Sequence, residues 1–304
     1  MNAIEKKTVV VTGASSGIGR ACVSRLVPSG WQGFATVRKQ EDGDRLQSEV
    51  GPDLTAVIMD VTDRASVTAA AEQVTSKLRG RGLDGLVNVA GIGMVRPVEY
   101  VTPSDLQQAF DVNVFGQIAV TQAFLPLLRK ARGRIVNISS VGAHIAIPFG
   151  SLINASKSAF GLFSDTLRLE LHPFGIRVCV VEPGAIRTPA VEKTLGNIET
   201  VIGNLPARGA EQYGEMLREF ARRGYAREMN GSPPEVVAQA VHHALTARRP
   251  RTRYQVGRHA HLLTTLPRIL ADRLLDAILL RITGLPTKWD ALGPLKTDNS
   301  RSMQ

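Results

Sequence analysis

A doubly wound α/β domain on a parallel sheet is the fold class the sequence predicts. Two observations predict it: short Val- and Ile-rich runs alternate with longer helical patterns, and each run is almost continuously apolar. Strands apolar on both faces need cover on both faces, the condition of a parallel sheet flanked by helices. The runs at 8–11, 34–37, 56–59, 83–87, 134–138 and 177–181 read as six strands. Helical patterns fall at 17–27, 63–78, 104–130 and 151–172, the third broken near Asp111-Val112-Asn113. Right-handed crossovers place the ligand crevice at the carboxyl ends of the strands, so functional residues are expected just after strand ends.

With 304 residues, 43% of them hydrophobic, the chain can bury one large core, and disordered or fibrous classes are excluded. There is no internal repeat and no Ser/Pro-rich linker. The expectation is a single domain at 1–258, with 189–234 shaping the substrate pocket and an amphipathic helical extension at 259–304. That extension sets Leu262, Leu266, Leu270, Leu274 and Ile278 among Arg268, Arg273 and Arg281, with an interruption at Pro267. Two cysteines, Cys22 and Cys179, without ligand spacing argue against disulfides and structural zinc, and point to a reducing cytoplasm. Residues 1–7 are polar and lack the regions of a signal peptide, and the longest uncharged stretch is too polar to span a bilayer.

Thr12-Gly13-Ala14-Ser15-Ser16-Gly17-Ile18-Gly19 follows the first strand and opens the first helix. Glycines at such a turn let a helix N-terminus approach a pyrophosphate, which the N–H groups and the helix dipole favour. Gly13 to Gly17 also spells G-x-S-x-G, the nucleophile elbow of serine hydrolases. Against that reading, the elbow takes an oxyanion donor from an earlier strand loop, and only one strand precedes Ser15. About twenty residues beyond the glycines, where an acidic residue would bind a ribose 2′-hydroxyl, the chain reads Thr36-Val37-Arg38-Lys39. Arg38 and Lys39 suit a 2′-phosphate, which favours NADP(H) over NAD(H).

Further motifs extend the pattern: Asp60-Val61 after the third strand, Asn88-Val89-Ala90-Gly91 after the fourth, Asn113, Ser139-Ser140-Val141-Gly142, Asn154-Ala155-Ser156-Lys157, and Pro183-Gly184 with Thr188. With these the sequence resembles a classical short-chain dehydrogenase/reductase over about residues 5 to 260, with a Rossmann-like fold. The resemblance implies cofactor contacts at Gly13, Ser15, Ser16, Gly17, Ile18, Gly19, Arg38, Asp60, Val61, Asn88, Ala90, Gly91, Lys157, Pro183, Gly184 and Thr188. It makes Asn113, Ser140 and Lys157 members of a catalytic tetrad. The wording at Ser140-Val141-Gly142, the Pro173-Phe174-Gly175 turn and the hydrophobic extension look most like the 17β-hydroxysteroid and retinol dehydrogenase branch, implying a lipophilic alcohol or carbonyl substrate. It also implies a homodimer or homotetramer, paired through the helices at 104–130 and 151–172.

One position departs from the pattern. The family places a Tyr four residues before the Lys, one turn away on the same helix face, and here that residue is Ile153. Tyr is the acid that protonates the developing alkoxide, and removing a positioned acid typically costs ~10²–10⁴-fold in rate. Four readings stay open: a substitute donor such as His144 or a water; a substrate such as an iminium or a conjugated enone; a dinucleotide-binding relative without catalysis; or an engineered Tyr-to-Ile variant. The net charge of +10 includes Arg248, Arg249, Arg251, Arg253 and Arg258, which have no acidic neighbour in sequence. With only Tyr254 available for stacking, nucleic acid is not expected there. The extension is expected to act as a pocket lid or dimer contact, with peripheral contact to an anionic membrane as the alternative.

Overall fold

The computed structural model describes residues 6–288. Seven strands form one sheet: β1 (Lys7–Val11), β2 (Trp31–Val37), β3 (Leu54–Ile58), β4 (Gly85–Asn88), β5 (Arg134–Ile138), β6 (Arg177–Pro183) and β7 (Arg253–Val256). Their order is β3-β2-β1-β4-β5-β6-β7, and every pairing is parallel. The order reverses between β1 and β4, which opens a crevice above their carboxyl ends.

The helices are α1 (Gly17–Leu26), α2 (Gln40–Val50), α3 (Arg64–Leu78), α4 (Pro103–Phe110), α5 (Gly116–Ala131), α6 (Ser151–Leu171), α7 (Pro189–Val191), α8 (Ile198–Gly203), α9 (Ala207–Met229), α10 (Glu235–Thr246), α11 (Ala260–Ile269) and α12 (Asp272–Thr283). Residues alternate along a strand, so β1 sends Val9 and Val11 into one core and Val10 into the other. The first core takes Leu26 of α1, Leu46 of α2 and Val241 of α10; the second takes Val74 of α3, Phe124 of α5 and Leu171 of α6. Burying a side chain such as Phe34 or Phe124 stabilises the fold by about 1.5–3 kcal/mol. Local chemistry sets helix starts: Asp63 accepts from the Ala65 N–H ahead of α3, and Thr102 and Asp105 form a capping box at α4.

The break expected near Asp111 is a π turn at Asp111–Phe115, which separates α4 from α5. Three other expectations are corrected. The basic run at 248–258 contains a seventh strand, and Arg253 in it does have acidic partners: its guanidinium grips the carboxylates of Glu182 and Asp165. Sequence proximity hid them, because β6 and α6 supply them across the sheet. The fourth strand begins at Gly85, since Asp84 turns its carboxylate onto the Thr8 N–H at 2.8 Å. In the extension the interruption lies at Leu270 and Ala271, while Pro267 sits inside the last turns of α11. The extension beyond 288 lies outside the described residues.

Candidate active site

The glycine turn is a backbone device. Gly13 and Gly17 take φ of +60° and +53°, left-handed values that strain any residue with a Cβ. At Gly19 a Cβ would stand 2.3 Å from the Gly13 carbonyl oxygen, so helix and turn close only without one. Ser16 caps α1 with extended backbone and no side-chain bond, and the first turn holds no acidic residue. Its N–H groups therefore face the crevice mouth without an internal acceptor, as an anion requires. Ser15 and Ile18 are half-buried at this mouth and Ser16 is exposed.

Neighbouring loops are tied to the turn. The Thr12 hydroxyl accepts from the Val89 N–H at 2.9 Å and the Ala90 N–H at 3.1 Å, which brings Ala90 against Gly13. Thr188, beyond Pro183 and Gly184 at the end of β6, stands 3.3 Å from where a Gly17 Cβ would be. Arg38 is exposed at the end of β2 beside Asp60. The Thr62 N–H and hydroxyl, both donating to one carboxylate oxygen, hold Asp60 below its ordinary pKa, and the Arg38 charge adds to this. Val61 packs against the start of α5, where a Cβ on Gly116 would meet its carbonyl at 2.7 Å.

Asn88 also braces the sheet. It is buried, with its amide donating to Thr121 at 3.0 Å and Asn137 at 2.8 Å, and Asn137 in turn donating to Ser164. This polar strut ties β4, β5, α5 and α6 beneath the crevice. The Asn88 Oδ1 is buried without a hydrogen-bond partner among the described residues.

The reacting edge is assembled from side chains. Asn113 sits in the π turn, fully buried; its amide donates to the Ile92 carbonyl and the Ser156 hydroxyl, each at 3.0 Å, and its oxygen accepts the Ile92 N–H. Gln117 donates to the Val112 carbonyl within the π turn and to Ala90. Lys157 is buried and donates to the Ile138 carbonyl at 2.8 Å, two residues before Ser140. Burial pulls its pKa down to about 8. Asn113 and Lys157 both border Gly91: a Cβ there would lie 3.1 Å from the Asn113 oxygen and 3.4 Å from Lys157 Nζ. The Ser140 hydroxyl accepts from the Gly142 N–H at 3.0 Å and is part-exposed. Ile153, half-buried one turn before Lys157, brings an apolar side chain to this edge.

Beside it opens a cleft of about 1270 Å³ between the segment after Ser140, α6 and α12. Ala143, Ile145, Ile147, Pro148, Leu279 and Leu280 give it apolar walls, and Arg273, Asp276 and Lys288 add charge on the side of α12. Ser151, Asn154, Ala155 and Ser158 line it from α6. Helical spacing puts these on a different face from Ile153 and Lys157. His144 belongs to this side wall, and its Nε2 lies 2.7 Å from Oε1 of the buried Glu182, the oxygen that Arg253 also holds. The ring is thus engaged away from the Ile153–Lys157 face, which weighs against it as the replacement acid. Glu182 was missed in the sequence, although a lone acid closing Val178-Cys179-Val180-Val181 was the available signal. Among the described residues no group of His, Cys, Asp and Glu is arranged to hold a metal ion.

The family model described as short chain dehydrogenase matches residues 7–198. The chain is similar to retinol dehydrogenase 5 of Mus musculus, 38% identical over 286 residues covering 92% of this chain and 90% of the relative. It is also similar to 17-beta-hydroxysteroid dehydrogenase type 6 of Rattus norvegicus, 35% identical over 285 residues, with 90% and 88% covered. Among solved structures, 3-ketoacyl-(acyl-carrier-protein) reductase from Brucella melitensis complexed with NADH superposes with a TM-score of 0.66 at 26% identity, covering 81% of this chain and 93% of that one. The closed form of serine dehydrogenase complexed with NADP+ gives 0.68 at 26% identity, covering 83% and 94%.

Proposed function

The chain belongs to the short-chain dehydrogenase family, and from that premise we propose that it is an NADP(H)-dependent oxidoreductase of a lipophilic alcohol or carbonyl compound, with imines and enones as further candidates. The observation that carries this reading is the junction of two sites: the glycine turn at the N-terminus of α1, and Asn113, Ser140 and Lys157 gathered beside it. The residues fit a dinucleotide, because the turn leaves out each Cβ that would fill the cradle and offers N–H groups to a pyrophosphate. Arg38 at the end of β2 gives a cation where a 2′-phosphate would lie, and the residues that close the strand, Thr36-Val37-Arg38-Lys39, include no carboxylate.

A bound nicotinamide dinucleotide supplies or accepts the hydride. The protein's share is placement. Lys157 offers an ammonium held by the Ile138 carbonyl, Ser140 offers a part-exposed hydroxyl to a substrate oxygen, and Asn113 holds the Ile92 backbone in place beneath them. The lipophilic substrate class rests on the likeness to the retinol and hydroxysteroid dehydrogenases, while Leu275 and Leu279 of α12 pack on Ile145 and cover the cleft on the face of α6 away from Ile153 and Lys157. Ile153 specifically favours a second reading, a dinucleotide-binding relative in which carbonyl turnover is lost, because isoleucine has no proton to give.

Two features of the surface extend the proposal. Leu106, Phe115 and Leu162 are exposed on α4–α6, a face suited to a second copy of the chain, which sedimentation equilibrium would detect. Leu262, Ile269, Leu274 and Ile282 are exposed on α11 and α12 beside Arg268, Arg273 and Arg281, which suits peripheral contact with an anionic membrane. No helix of the described residues is long and apolar enough to cross a membrane.

The deciding experiment titrates NADPH and NADH by nicotinamide fluorescence into the chain and into Arg38→Ala. It then follows NADPH oxidation with lipophilic ketones, aldehydes, enones and cyclic imines. Tighter NADPH binding that Arg38→Ala reduces, with turnover of any of these substrates, is the expected result. NADPH binding with no turnover selects the second reading, and no binding of either dinucleotide overturns both.

A further inference from the structure

The amino ends of β6 and β7 lie at the opposite edge of the sheet from the glycine turn. Here Arg177, Val178 and Cys179 open β6, Thr252 leads into β7, and the last turns of α6 close over them around a hollow of about 290 Å³. Its wall carries Arg168, His172, Arg177, Arg249 and Arg251, and none of its lining residues is acidic. Asp165, on the same helix as Arg168, is already held by Arg168 and Arg253. Arg177 donates to the Arg248 carbonyl, which fixes its guanidinium without neutralising it. Arg249 and Arg251 are exposed at the rim.

The charges converge. The guanidiniums of Arg134, Arg177 and Arg168 all act on the Cys179 thiol at the floor of the hollow, although burial outweighs them and leaves its pKa near 11. Arg134 is itself lowered by burial and by the charge of Arg177. Like charges gathered around a concavity repel one another and focus a positive potential into it, and an anion relieves that repulsion. The floor is not wholly polar, since Leu169, Ile176, Val178 and Pro250 contribute apolar surface.

We propose that this hollow is a second ligand site, distinct from the dinucleotide crevice, for an anion carrying at least two negative charges on phosphate. Guanidinium forks match phosphate oxygens in pairs, and several of them around one concavity favour a phosphomonoester or diphosphate over a carboxylate. The volume lies at the small end of ligand pockets, which fits one phosphate-bearing head group with a short organic part. Such a group reaches the protein either as a free phosphate compound or as a lipid head group, and these two sources are separable.

Inorganic pyrophosphate is titrated calorimetrically into the full chain saturated with NADPH, alongside Arg249→Ala/Arg251→Ala and, as a control for loss of an exposed arginine elsewhere, Arg45→Ala. The expected result is one saturable site, weakened on the order of tenfold or more in the double variant and unchanged by Arg45→Ala. Absence of saturable binding, or equal weakening by Arg45→Ala and by the double variant, overturns the proposal. Failure of NADPH itself to bind shows in its fluorescence, and pyrophosphate taken up at the glycine turn would then persist in the double variant. Co-sedimentation with phosphatidylcholine vesicles containing phosphatidylinositol 4-phosphate, lost in the double variant, identifies a lipid head group. Pyrophosphate binding without sedimentation identifies a free phosphate compound.

Discussion

The two walls of the crevice are made of different material. On the dinucleotide side the shape lies in the backbone: left-handed Gly13 and Gly17, the Gly19 carbonyl contact, and N–H groups at the head of α1. On the reacting side it lies in side chains: Asn113 on a π turn, Ser140 on a loop, Ile153 and Lys157 one turn apart on α6. A wall made of backbone is altered only by residues that change φ or fill space. A wall made of side chains can change its chemistry through one residue while every strand and helix stays in place, and position 153, an isoleucine here, is where that difference is tested.

The largest expected effect comes from restoring the missing group. Ile153→Tyr is predicted to raise carbonyl reduction by ~10²–10⁴-fold, with little change in NADPH affinity. Steady-state kinetics beside a binding titration separates the two walls, and a change in affinity as large as the change in rate would break the comparison.

Lys157 gives the next effect, on stability. Burial lowers its pKa from 10.5 to about 8, so between these values the unfolded chain binds the extra proton and the folded chain does not. Stability contributed at this site therefore rises as pH climbs from about 8 to 10.5, by up to about 3 kcal/mol. Urea unfolding of the dinucleotide-free chain against Lys157→Met across that window is expected to show the wild-type chain gaining relative to the variant. A constant difference would mean the ammonium is well solvated.

The smallest effect tests the backbone wall. Gly17→Ala forces a Cβ into φ +53°, at a cost of about 1–2 kcal/mol, and sets it 3.3 Å from Thr188. Weaker dinucleotide binding and a slightly lower melting temperature are expected, with Lys157 titrating as before. A shift in that titration would show the walls to be mechanically coupled, which the Thr12 bridge to Ala90 makes the natural route.

Much of this was legible along the chain because parallel strands write themselves as continuous apolar runs and the glycine turn is a contiguous segment. The π turn was foreshadowed by a break near Asp111, and the absent Tyr could be read from its spacing to Lys157. Partnerships across the sheet were not legible. Arg253 looked unpaired until β6 and α6 brought Glu182 and Asp165 to it, and His144 looked available until Glu182 engaged it. The bracing of β4 against β5 and α5 by the Asn88 amide, through Asn137 and Thr121, was equally out of reach of the sequence.

The sequence by itself determined the alternation of strand and helix, the glycine turn and the isoleucine four residues before Lys157, because each depends on residues within a few positions of one another. Tertiary structure decided which polar side chains brace the sheet, where α12 packs, and that scattered arginines from α6, β6 and the approach to β7 share one hollow. The physical reason is that burial and pairing of charge depend on three-dimensional distance, and parallel crossovers bring together residues that the chain separates by tens of positions.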